Sequence, residues 1–249
     1  MCPIFQFSLH SSLAFGAAGI LMAVMGAGGS LLALPAFLVI LKVPMPQAIA
    51  ASSAVVGMGA FSTFLDEKNR ASVPKAPATW FLLPLLGGSL AGAWFLPWFP
   101  VKILGVLLAV LLGWAGWNAM RNESQESGTL QGPRLSGAGA GVGLLMGLLG
   151  VGGGFLAVPA LQRFGGVDRD RAISLSLLGI GLGSALSLLL HWKDGALRIG
   201  LVLPALMAVM IGMELGAHLR RRLPPGFQSR VFGSMLWIVG IAVLVKTLG

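Results

Sequence analysis

The residues best able to do chemistry in this chain lie in two glycine-rich segments, and the chemistry is that of exposed backbone groups. Gly26-Ala-Gly-Gly-Ser-Leu-Leu-Ala-Leu-Pro35-Ala-Phe37 and Gly150-Val-Gly-Gly-Gly-Phe-Leu-Ala-Val-Pro159-Ala-Leu161 stand 124 positions apart and share seven of twelve aligned residues. Their glycines let one helix stop and another start within a few residues. A helix beginning at Ser30 or Gly154 presents N–H groups without intrahelical partners and the positive end of its dipole, which together make an anion site. Pro35 and Pro159, inside those helices, each remove a further donor. The lining candidates are therefore Gly28, Gly29, Ser30 and Pro35 in the first segment, and Gly152, Gly153, Gly154 and Pro159 in the second. Hydroxyl donors follow in the next helix of each half: Ser52 and Ser53, then Ser174 and Ser176. Ser52 and Ser176 occupy equivalent positions. Glu214 is the acidic residue deepest in a predicted span, which makes it a candidate for ion coupling; its alternative partners are His218 and Arg221.

Elements long enough to hold such breaks are written into the composition. Of 249 residues, 56% are hydrophobic and only 10% charged, with a mean hydropathy of +0.87. An ordinary globular chain carries about 25% charge. Helical spans are expected near 8–25, 30–42, 47–65, 77–98, 101–118, 135–150, 154–164, 171–191, 196–219 and 228–247. The alternating ten-residue pattern of an outer-membrane barrel is absent. The fold class is an all-α polytopic membrane protein. Trp80, Trp98, Trp117 and Trp192 fall near predicted span ends, at headgroup depth. No basic region precedes the first apolar stretch, so a cleaved signal peptide is not expected.

The segment from Arg121 to Arg134 is the one clear linker, so the chain divides into membrane repeat 1 (1–118), a linker (119–134) and membrane repeat 2 (135–249). The repeat extends past the glycine segments: Ala48-Ile49 matches Ala172-Ile173, and Gly88/Gly92 matches Gly212/Gly216 at the same offset. The latter pairs read as close helix packing. If each break separates two topological legs, each half has an odd number of legs and the repeats are inverted. Loops 66–76, 119–134, 163–171 and 220–230 then share one side with twelve Lys/Arg, against five opposite. A break within a single crossing gives nine against eight. The positive-inside bias favours the inverted arrangement, with a cytoplasmic linker and extracytoplasmic termini.

Several functions are disfavoured. The net charge of +9 is scattered through short loops, not gathered into a nucleic-acid stripe. Cys2 is alone, so neither a disulfide framework nor a cysteine metal site is expected. The glycines lack the third position of a dinucleotide fingerprint. The three histidines fall near span ends without an evident serine partner, so an intramembrane serine protease is not expected, nor any enzyme.

The duplicated motif, carried by Gly26, Gly28, Gly29, Ser30, Pro35 and Gly150, Gly152, Gly153, Gly154, Pro159, resembles the TauE/SafE sulfite-exporter family, also called 4-toluene sulfonate uptake permeases. The stretches Ala48 to Ser53 and Ala172 to Ser176 are similar to that family too. The resemblance covers essentially the whole chain. It implies a transporter of sulfite, sulfoacetate or related sulfur anions in the cytoplasmic membrane. Its partners would be a small anionic substrate and membrane lipid, with no cofactor and no metal. Coupling to H⁺ or Na⁺ and homo-oligomerisation stay open. A passive anion channel, or a carrier of another small anion such as a carboxylate or thiosulfate, is the alternative. Two positions depart from the family pattern: Ser30 replaces glycine, and the Thr-Ser pair becomes Ser52-Ser53 and Ser176-Leu177. Enlarging Gly29 or Gly153 to valine is expected to abolish transport while leaving the protein assembled.

Overall fold

A computed structural model describes residues 13, 15–17, 19–20, 32–40, 43–65, 73, 75–121, 129–150, 152–193, 199–220 and 225–248. Among them every regular element is helical. Repeat 1 contains α1 (Ala33–Pro35) continuing into a π-helical turn (Ala36–Ile40), then α2 (Met45–Phe64), α3 (Lys75–Phe95) and α4 (Val101–Arg121). Repeat 2 contains α5 (Gly132–Leu149), α6 (Gly154–Gly165), α7 (Arg169–Lys193), α8 (Ile199–Arg220) and α9 (Pro225–Leu248). A helical segment at 13–20 precedes α1, and Phe15 packs its ring 4.7 Å from that of Phe37.

Among the described residues four helices are long and apolar enough to cross a bilayer: Met45–Phe64, Lys75–Trp98, Val101–Asn118 and Arg169–Leu189. The expected polytopic all-α architecture is what the chain adopts. Trp80, Trp98 and Trp117 are exposed near helix ends, as interfacial indoles require; the side chain of Trp192 lies outside the described residues.

Contacts between the halves follow a rule. A Cβ placed on Gly143 of α5 would overlap the Leu85 carbonyl of α3, and one on Gly19 would overlap the Val209 carbonyl of α8. Shifting each residue of the first pair by the repeat offset, in opposite directions, produces the second pair. Gly88 against Ala140 and Gly212 against Gly16 are related in the same way. Each half thus lays its first helix on the third full helix of the other. Glycine is required because the two backbones touch, leaving no room for a side chain.

The equivalent helices α2 and α7 pack against each other with opposed directions. Gly57 meets Ser184 (a Cβ would lie 2.7 Å from that of Ser184), whereas the later Phe61 meets the earlier Gly181 at 3.4 Å. The equivalent helices α4 and α9 do the same: Gly105 faces Thr247, Gly116 faces the Gly233 carbonyl at 2.8 Å, and Met120 faces Gly233. Between these layers lie the short helices, with Phe155 of α6 edge-on to Trp114 of α4 at 6.3 Å.

The α5–α6 unit is a hairpin. Gln131 N, at the start of α5, donates to Phe164 O, at the end of α6, at 2.7 Å. With twelve residues α6 is about 18 Å long, well short of the ~30 Å hydrocarbon core. It is therefore too short to cross on its own, and its end lies beside the start of α5. In repeat 2 the glycine break is the turn of a helical hairpin.

Candidate functional site

At the break α5 ends on Gly150, whose φ of 59° is left-handed, and its N–H donates to Met146 O at 2.8 Å. Only glycine takes that conformation without cost. The space around it is also closed: a Cβ would overlap the Ile49 carbonyl and lie 2.7 Å from Ser53 Oγ. Helix α6 opens at Gly153 without a capping side chain, and Gly152, Gly153 and Gly154 are all buried. Its first N–H groups and its dipole point into the protein interior, where hydrocarbon offers them nothing.

Helix α2 of the opposite repeat closes the site. Ser52 Oγ lies 2.9 Å from Gly150 O and 3.0 Å from Ile49 O, so its single proton is shared between a carbonyl across the break and one in its own helix. The left-handed residue that ends α5 is thereby satisfied by a side chain 98 positions away. Ser52→Ala is expected to lower stability by about 1–2 kcal/mol, because Gly150 O loses its donor; Ser52→Thr should retain it. A thermal midpoint in detergent checks both.

Ser53, one residue further on, is 1% exposed, and its hydroxyl has no hydrogen-bond partner. Other hydroxyls here bond back to their own helix: Thr63 to Gly59 O, Ser89 to Leu86 O, Thr247 to Val243 O. Ser53 makes no such bond to its own helix.

The remaining candidates are placed as follows. Ser174 and Ser176 are buried on α7 and donate to Asp170 O and Ile173 O, at 3.0 and 2.8 Å. Pro159 is half-buried inside α6, and Pro35 is buried at the end of α1, just before the π-helical turn. Gly28, Gly29 and Ser30 lie outside the described residues, as does the side chain of Glu214. Ser52, Ser53, Gly152, Gly153 and Gly154 are therefore brought together around one break. Gly153 needs correcting in one respect. A Cβ there would overlap Val142 and lie 3.2 Å from Met146 Sδ. Its small size serves the α5–α6 packing, so valine would disturb assembly as well as the site.

Two features escaped the sequence reading. Ser184 and Ser187 are buried on α7, and with Ser176 they recur at helical spacing, which a scan for polar residues at i, i+8 and i+11 would have found. Lys246 Nζ donates to Leu38 O, placing a cation on the carbonyl end of the repeat 1 short helix, where a helix dipole favours it. No cluster of metal-ligating side chains occurs among the described residues.

A helical membrane protein with a buried helix break, held by its opposite half and lined by backbone donors and hydroxyls, has the build of a membrane transporter. The family described as "Sulfite exporter TauE/SafE" matches residues 12–243. The chain belongs to that family. It is similar to a "Probable membrane transporter protein" of Xylella fastidiosa strain Temecula1, 28% identical over 244 residues and 93% of each chain. A protein of the same description from strain 9a5c is 26% identical over 242 residues, again 93% of each chain. No solved structure matches.

Proposed function

We propose that this protein is a secondary carrier of small sulfur-containing anions, be they sulfite, sulfoacetate or other organosulfonates, working by alternating access in the cytoplasmic membrane. The observation that carries the reading is the buried break itself. The N-terminus of α6 opens beside Gly150, which Ser52 of the other repeat holds in place. An anion there receives N–H donors from α6 and the unpaired hydroxyl of Ser53 on α2. The TauE/SafE family description supplies the substrate class. In this reading Gly28, Gly29 and Ser30 of the first glycine segment have the same role as Gly152, Gly153 and Gly154 by their equivalence in sequence, and Ser176 is the counterpart of Ser52.

The repeats are inverted, the linker cytoplasmic and both termini extracytoplasmic. Support comes from the opposed directions of the equivalent helix pairs. The hydrogen bonds from Gln131 to Phe164 O and from Ser136 to Trp80 O add to it, since they gather the basic ends of α3, α5 and α6 on one side. Alternating access then comes from one repeat moving against the other.

The test is labelled uptake by purified protein in liposomes, across sulfite, sulfoacetate, thiosulfate and acetate, with and without imposed proton and sodium gradients. Saturable, gradient-driven flux of at least one of the sulfur anions is expected; unsaturable flux would replace the carrier with a channel. For topology, single cysteines at Gly128 and Gly195 in a Cys2→Ser background should be labelled from opposite sides. Equal access from outside would reject the inverted arrangement.

A further inference from the structure

Every buried polar side chain among the described residues is a serine. Helix α2 has no titratable residue, and Arg134 on α5, Arg163 on α6, and Arg169, Asp170 and Arg171 on α7 are all exposed. The break is therefore furnished with neutral donors and one helix dipole, worth about half a positive charge. Into this setting projects the one buried side-chain hydroxyl without a partner among the described residues, that of Ser53, placed against Gly150 where α5 gives way to α6. A buried hydroxyl left unpaired is costly and calls for a reason. At the equivalent position of repeat 2 stands Leu177, 8% exposed, so the hydroxyl is present on one half only.

From this we infer that the α6 break is a site for singly charged oxyanions, with the Ser53 hydroxyl donating to the bound oxygen. The inference rests on the carrier function proposed above and narrows its substrates by charge. Removing an ion from water costs energy that grows with the square of its charge, so a dianion loses about four times what a monoanion does. The attraction of a fixed dipole and of neutral donors grows only in proportion to charge. With no buried cationic side chain among the described residues to make up the difference, hydrogensulfite and singly charged sulfonates enter, while sulfite dianion, sulfate and doubly charged sulfonates such as sulfoacetate are rejected. Ser53 is then a specificity-determining residue, its hydroxyl standing unpaired until an anion binds.

The experiment uses the full chain in liposomes and measures uptake of labelled methanesulfonate, a monoanion at every pH tested, competed by sulfate and by total sulfite from pH 6 to 8. Sulfate should compete at least about a hundredfold less well than unlabelled methanesulfonate. The total sulfite needed for half-competition should rise with pH as hydrogensulfite is depleted, approaching about tenfold per pH unit above that ionisation. Methanesulfonate uptake measured in parallel corrects for any titration of the protein, Glu214 included. Ser53→Ala should raise the KM for methanesulfonate about ten- to hundredfold without lowering the thermal midpoint, because no intramolecular bond is lost.

Sulfate competing as well as methanesulfonate, or sulfite competition flat with pH, overturns the charge assignment. An unchanged KM in Ser53→Ala, or a lowered midpoint with unchanged KM, overturns the role of Ser53. Absence of uptake for every anion, in folded protein, overturns the carrier function itself.

Discussion

Gly150→Ala is expected to be the most damaging single-methyl change in this protein. The left-handed conformation costs an alanine about 1–2 kcal/mol, and the new Cβ would overlap the Ile49 carbonyl, a backbone group that cannot swing aside. The helix pair must separate, and the Ser52 bond to Gly150 O breaks with it. Transport should be lost, and the unfolding midpoint in detergent should fall by several degrees or folded protein should vanish from size exclusion. Gly137→Ala and Gly141→Ala on the same helix supply the contrast. Nothing lies within 4 Å of a Cβ at either position, so both should match the parent or gain slightly from better helix propensity. If Gly150→Ala behaves like them, the break is built differently.

The second large effect is a matched pair. Gly143→Leu drives a side chain into the Leu85 carbonyl, and Gly19→Leu drives one into the Val209 carbonyl. Overpacking of a fitted core costs about 1–3 kcal/mol where side chains can yield, and more against backbone. The two contacts are the same contact seen in each half, so the two variants should lose similar amounts of folded protein. A severe loss in one with none in the other would mean that the repeats do not pack equivalently.

Much of this architecture was legible in the amino-acid order. Hydropathy placed α2 to α9 to within a few residues, since a span needs its apolar length whatever it packs against. The glycine breaks were found because interrupting a membrane helix leaves a mark in composition. Partnership was not legible. Ser52 and Ser174 look alike in sequence, yet one bonds a carbonyl in the opposite repeat and the other bonds its own helix. Ser53 stands out only because its hydroxyl, unlike that of Ser52, reaches no carbonyl, a detail of rotamer and distance. Gly153 was read as lining, and its closeness to Val142 and Met146 emerges only once α5 and α6 fold into a hairpin. Lys246 and Leu38 lie 208 residues apart, so no local pattern could join them.

The exchange of first helices between the halves resembles the self-complementary contact of two identical subunits about a two-fold axis. A single unit of this type would leave bare the backbone seams at Gly143 and Gly19, so it has a folded state only beside another copy. The ancestral half would then have been an obligate dimer before the linker fused two copies into one chain. Cutting the present chain between residues 122 and 128 reverses that fusion. Either fragment produced alone should be degraded, while the two produced together should co-purify and regain the unfolding midpoint of the intact protein.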